Sequence, residues 1–137
     1  MENLQKADYY QLEAGYEFPP ASYQLDSLLV ASYLETVEDT NDLYRETNVI
    51  PPMVVAAHAM AALSDSISFP TGAIHVSQEL EFGDFVRTAD TFTSRARVSR
   101  NQNRGKLHIV TIEINVFNQK QNLVLSGKTS FILPESA

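Results

Sequence analysis

The chain contains no cysteine and no tryptophan. Without cysteine there are no disulfides, no thiolate nucleophile and no zinc-thiolate site, and such a chain suits a reducing compartment. Cations are scarce: 10 Lys and Arg stand against 17 Asp and Glu, for a formal net charge of -7. A protein that grips phosphodiester backbones shows the opposite balance, so nucleic-acid binding is not expected. There are three histidines, no two of them at metal-ligand spacing on one element, so no metal is expected. Gly-x-Ser-x-Gly and phosphate-binding glycine loops are missing. The longest apolar run, Met53–Leu63, is interrupted by His58 and falls well short of the about 20 residues that cross a bilayer. Residues 1–10 are polar and do not read as a signal peptide. A soluble, cytoplasmic protein is expected.

What is present is enough for a packed core. The 137 residues are 44% apolar, which suits one domain spanning residues 1–137. Residues 1–20 read as irregular, with room for a short strand before Gly15. A helix fits Asp26 to Val37. Its apolar residues Leu25, Leu28, Leu29, Tyr33 and Val37 fall near one stripe, and Asp26 or Ser27 can cap its start. Glu38–Asn48 is polar and reads as a loop with Asx-type turns around Asp39, Asn41 and Asp42. Pro51-Pro52 then opens a second helix, Met53–Leu63, because proline fits a first helical turn. That segment is apolar nearly all the way round, which predicts burial on most sides.

From Ala73 the apolar period changes from helical spacing to two. Ile74, Val76, Leu80 and Phe82 read as the apolar face of a half-buried strand, interrupted by Gln78. Alternation recurs over Phe92–Ser99 and Val110–Val116, a last strand is read at about Leu123–Leu133, and polar turns fall at Asn101–Gly105 and Asn118–Asn122. The expectation is a four-strand meander, one face solvated and the other covered by the Met53–Leu63 helix.

Four segments resemble the MaoC-like hydratase and dehydratase family. Tyr33-Leu-Glu-Thr-Val-Glu-Asp-Thr-Asn-Asp-Leu-Tyr44 is similar to that family's stretch ending in Asp-x-Asn-Pro-x-His. Ile50-Pro-Pro-Met53 resembles the entrance to its central helix, Ile74-His-Val-Ser-Gln-Glu79 its first long strand, and Gly127-Lys-Thr-Ser-Phe-Ile-Leu-Pro134 its closing strand. The resemblance implies an α+β hotdog fold, a curved antiparallel sheet wrapped around a central apolar helix. It implies addition of water to an enoyl thioester on coenzyme A or acyl carrier protein, or the reverse, without cofactor. In that chemistry a carboxylate and an imidazole share one water, and a helix-start N–H polarises the thioester carbonyl.

By the same resemblance, Asp39 matches the catalytic aspartate and Asn41 the asparagine two places on. Tyr44 stands where the catalytic histidine belongs, and Asp42 where proline is usual. Pro51-Pro52 replaces His-Gly, so Pro52 stands at the glycine whose N–H serves the carbonyl, and proline has no N–H. These departures resemble the non-catalytic halves of double-hotdog and two-subunit dehydratases, which shape an acyl tunnel. Candidate catalytic residues are therefore Asp39, Asn41 and Tyr44, and candidate substrate-binding residues Pro52, Met53 and His58. Whether the chain is an enzyme by itself stays open. The alternatives are a non-catalytic acyl-binding subunit that completes a partner's site, or a hotdog acyl-CoA thioesterase in which Asp39 or Asp42 activates water. An open sheet edge needs covering, so a homodimer, or a heterodimer with a related hotdog chain, is expected.

Overall fold

The computed structural model describes residues 7–8 and 12–134, and at Asp8 and Arg45 the backbone alone. The two-residue strand β1 (Ala7–Asp8) is the one the sequence allowed before Gly15; the remainder of residues 1–11 lies outside the described residues. β2 (Ala21–Gln24) follows Pro19-Pro20. Helix α1 spans Ser27–Thr36, with the Asp26 carboxylate accepting the Leu29 N–H at 2.8 Å as its N-cap. Its buried side chains are Val30 and Leu34. The expected stripe is displaced, for Leu28 is 80% exposed and Val37 also faces solvent. The supposed loop contains a short helix, α2 (Asp42–Glu46), started by the Asn41 side chain.

Helix α3 runs Pro52–Ser66, longer than the apolar run, because Ser64, Asp65 and Ser66 complete a last turn before the β-branched Ile67 takes extended geometry. Val54, Val55, Ala56, Ala59 and Leu63 are buried, whereas Met53, Ala57, Ala61 and Ser64 are exposed. Burial on most sides is thus corrected to burial of one face: the chain has one sheet to offer this helix. β3 (Ile67–Ser68) pairs in parallel with β1.

Four long strands follow: β4 (Ile74–Phe82), β5 (Thr91–Arg104), β6 (Leu107–Phe117) and β7 (Leu123–Pro134). With β2 they form one antiparallel sheet in the order β2-β5-β6-β7-β4. The expected meander holds for β5-β6-β7 only. β4 crosses over and pairs with β7 at the far edge, and the unexpected β2 covers the outer side of β5. The first hairpin is longer than its sequence suggests. Asn101–Arg104 remain paired with Leu107–Val110, and the reversal falls at Gly105-Lys106, where Gly105 takes φ +61°.

The inner face of the sheet supplies Phe92, Val98, Val110, Ile112, Val116 and Leu133, all fully buried against α3 and the segments around it. A bulge between His75 and Ser77 corrects the reading of β4. Ile74 pairs with Ile132 on the outer face; His75 pairs with Phe131 on the inner one. After the extra residue Val76, it is Gln78, Leu80 and Phe82 that continue the inner face. Ile74 and Phe82 therefore do not share a side. The His75 ring stacks on Phe131 (centroids 4.8 Å apart), and its Nε2 lies 2.7 Å from the hydroxyl of the buried Thr129.

Candidate active site

The end of α1 sets the position of Asp39. The Glu38 N–H bonds to the Glu35 carbonyl and the Asp39 N–H reaches back to that of Leu34 at 2.9 Å, a Schellman closure. Its left-handed position is held by Glu38 at φ +58° rather than by glycine, at a cost of roughly 1 kcal/mol. Asp39 is half-buried, and its Oδ1 accepts the Asn41 N–H at 2.9 Å. The Asn41 Oδ1 in turn accepts the Leu43 N–H at 2.9 Å and caps α2. Both side chains thus hold the turn that carries them, as Asx residues commonly do.

Tyr44, one turn into α2, is half-buried against the core. It lines a cleft of about 450 Å³ together with Val30, Ala31 and Leu34 of α1 and the Glu46–Val49 segment. The stretch after α2 is laced to the loop before β5: Ile50 N–H donates to the Val86 carbonyl at 2.8 Å, and Thr88 N–H to that of Asn48 at 3.0 Å. This strap sets the start of α3. Pro51 is buried and precedes the helix without any side-chain cap, and Val54 N–H closes on its carbonyl at 3.0 Å. Since residues 51 and 52 are prolines, Met53 carries the first amide hydrogen of the helix. It has no hydrogen-bond partner among the described residues.

Beside that entrance lies a second, mostly apolar cavity of about 240 Å³. Pro52 and Val55 form one wall, and Phe82, Phe85, Val86 and Leu125 the others. Phe85 is 69% exposed at its mouth. Tyr44 and Pro52 therefore line different cavities, joined by the strap. His58 lines neither. It is half-buried on α3 with its ring 5.8 Å from that of Tyr23, whose hydroxyl is 2.9 Å from Ser94 Oγ. Burial pushes the Tyr23 hydroxyl above its ordinary pKa, against the lowering effect of the Ser94 contact.

Sequence reasoning missed Phe85, Val86 and Leu125. They come from a loop and a strand distant in sequence, and the Ile50–Val86 bond together with the pairing of β4 with β7 brings them to Pro52. The nearest signal was Phe82, the last apolar residue of its strand. Among the described residues no three His, Asp or Glu side chains gather as a metal site would require.

A family model described as FAS1-like, dehydratase domain region matches residues 13–126. No curated protein matches the chain by sequence. Among solved structures, the (R)-hydratase PhaJ1 of Pseudomonas aeruginosa superposes with a TM-score of 0.77 at 21% identity, over 93% of this chain and 86% of that one. The MaoC-like dehydratase of Rhodospirillum rubrum gives 0.76 at 17% identity, over 94% and 97%. A chain of the HadBC 3R-hydroxyacyl-ACP dehydratase complex of Mycobacterium tuberculosis gives 0.65 at 17%, over 87% and 96%. These likenesses show the hotdog fold, as the α+β reading expected. Because the family model spans most of the chain, this protein belongs to the FAS1-like dehydratase-domain family, and its fold is the hotdog fold of the MaoC-like proteins it superposes on.

Proposed function

We propose that this chain binds the acyl group of an acyl thioester, carried on coenzyme A or acyl carrier protein, and forms one half of a hydratase or dehydratase whose catalytic pair is supplied by a partner hotdog chain. The observation that carries this reading is the entrance of α3. An apolar cavity opens beside Pro52 and Val55, large enough for a short acyl chain, while two consecutive prolines leave Met53 alone to offer an N–H at the helix start. A helix N-terminus is where a developing oxyanion is best held. One donor set back by a residue suits contact with a carbonyl more than strong polarisation of it.

The polar side argues the same way. Hydration needs a base and an acid sharing one water. Here Asp39 and Asn41 each commit an oxygen to the local turn, and Tyr44 opens into a cleft separate from the Pro52 cavity. A second reading, in which the chain hydrates enoyl thioesters by itself, draws on one feature. Asp39 Oδ2 makes no hydrogen bond among the described residues, so one carboxylate oxygen is available to a water.

A short trans-2-enoyl-CoA separates the readings when double-bond absorbance and free thiol are followed together. Binding without change in either signal is the expected result for the chain alone, with affinity lowered in Phe85→Ala. Loss of absorbance without thiol release, abolished in Asp39→Asn, would overturn the proposal in favour of a self-sufficient hydratase. Thiol release would point to a thioesterase instead.

A further inference from the structure

A row of charges crosses the outer face of the sheet. Glu17 stands opposite Arg97 in an isolated antiparallel backbone pairing. Arg97 stands opposite Glu113, with nitrogen and oxygen 2.9 Å apart. Glu113 stands opposite Lys128, and Lys128 opposite Glu79. The signs alternate without a break from Glu17 to Glu79. Residues directly opposed on antiparallel strands interact through their side chains, favourably for opposite charges and unfavourably for like ones. The row is thus a register mark, and it stops on a carboxylate because no described strand lies beyond β4. The neighbouring row runs Arg95, Asn115, Ser126, Glu81 and also stops on a carboxylate.

The edge where both rows stop is otherwise ready for burial. Ile74, Val76 and Phe82 are 57%, 49% and 43% exposed along nine residues of strand. Long apolar edges are rarely left bare, because their unpaired N–H and C=O groups template another strand. Charges at such an edge choose among partners more than they set affinity.

We propose that the β4 edge continues its sheet onto a hotdog chain whose own edge strand presents lysine or arginine beside Glu79, and that it discriminates against a second copy of this chain. A two-fold antiparallel pairing of β4 with itself sets Glu79 opposite Glu81 twice when centred on Leu80, and sets Glu79 or Glu81 opposite its own copy when centred on that residue. A basic residue in the partner instead extends the alternation by one more member. The proposal rests on the reading above that a partner chain completes the site. It adds the chemistry by which that partner is chosen.

Charge exchange tests it with no need for the natural partner. Molecular mass is measured by sedimentation for the wild-type chain, E79Q/E81Q, E79K/E81K, and an equimolar mixture of wild type with E79K/E81K. Melting curves first show that each variant folds. The wild type and the lysine variant are each expected to stay monomeric where their mixture dimerises, and added salt should weaken the mixed dimer. E79Q/E81Q should self-associate about tenfold more tightly than wild type, from relief of two like-charge contacts. Wild type dimerising as tightly as E79Q/E81Q would overturn the proposal. A mixture that associates no better than its parts would do the same. If the lysine variant fails to fold, the glutamine comparison still decides. These readouts are masses, so failure here leaves enoyl-CoA binding untouched, and failure of that binding leaves the masses to be read.

Discussion

Strands β6 and β4 look alike in sequence and end in opposite surroundings. β6 alternates Val110, Ile112, Ile114 and Val116 with polar residues, and all four are buried. β4 also alternates, yet most of it lies open to solvent. The difference is position. β6 has β5 and β7 on its two sides and α3 beneath, whereas β4 has one neighbour and a bulge. Alternation states that one face of a strand is apolar; topology decides whether the same chain is able to cover it.

The sharpest test of the contrast is Ile112→Ala in the centre of β6. It removes a fully buried side chain and is expected to lower unfolding free energy by about 3 kcal/mol, read by urea titration. Gly127→Ala comes next. A Cβ at this position would meet the Glu79 carbonyl oxygen at 2.8 Å, so β4 must give way. The expected loss is about 1–2 kcal/mol, with hydrogen exchange faster in β4 amides and unchanged in those of β6. Val76→Ser, on the bulge, should change the stability of the isolated chain by no more than about 0.5 kcal/mol. A cost near that of Ile112→Ala would show that the chain covers its own β4 face and would remove the contrast.

Much of the fold was legible because it rests on local patterns. Strands β5 and β6 announced themselves by strict alternation, and the start of α3 by Pro51-Pro52. What escaped has a common physical cause. β2 is Ala-Ser-Tyr-Gln, too short and too polar to show a period, and it exists because β5 offers it a ladder. α2 is five residues held by one cap. The placement of β4 beside β7, and the extra residue at Val76 that turns Ile74 outward, are decided by pairing partners more than forty residues away. The site divides in the same way. The turn bonds of Asp39 and Asn41 span two residues and were readable. The cavity beside Pro52 needs Phe85, Val86 and Leu125 delivered from elsewhere, and no local pattern marks them. The apolar stripe assigned to α1 held at Leu25, Leu29 and Tyr33 and failed at Leu28 and Val37, because helical spacing alone does not say which side the sheet is on.

The two borders of the sheet also set how far it can extend. On the β2 side the strand is four residues long and the two residues before it are Pro19 and Pro20, which have no N–H to lend to a further strand. On the β4 side nine residues are open. A sheet with one long open border and one short border led by prolines extends more readily on the long side. With a partner joined at β4 as proposed above, the short border behind Pro19-Pro20 would be the poorer template for a third chain, which favours a pair over a fibre.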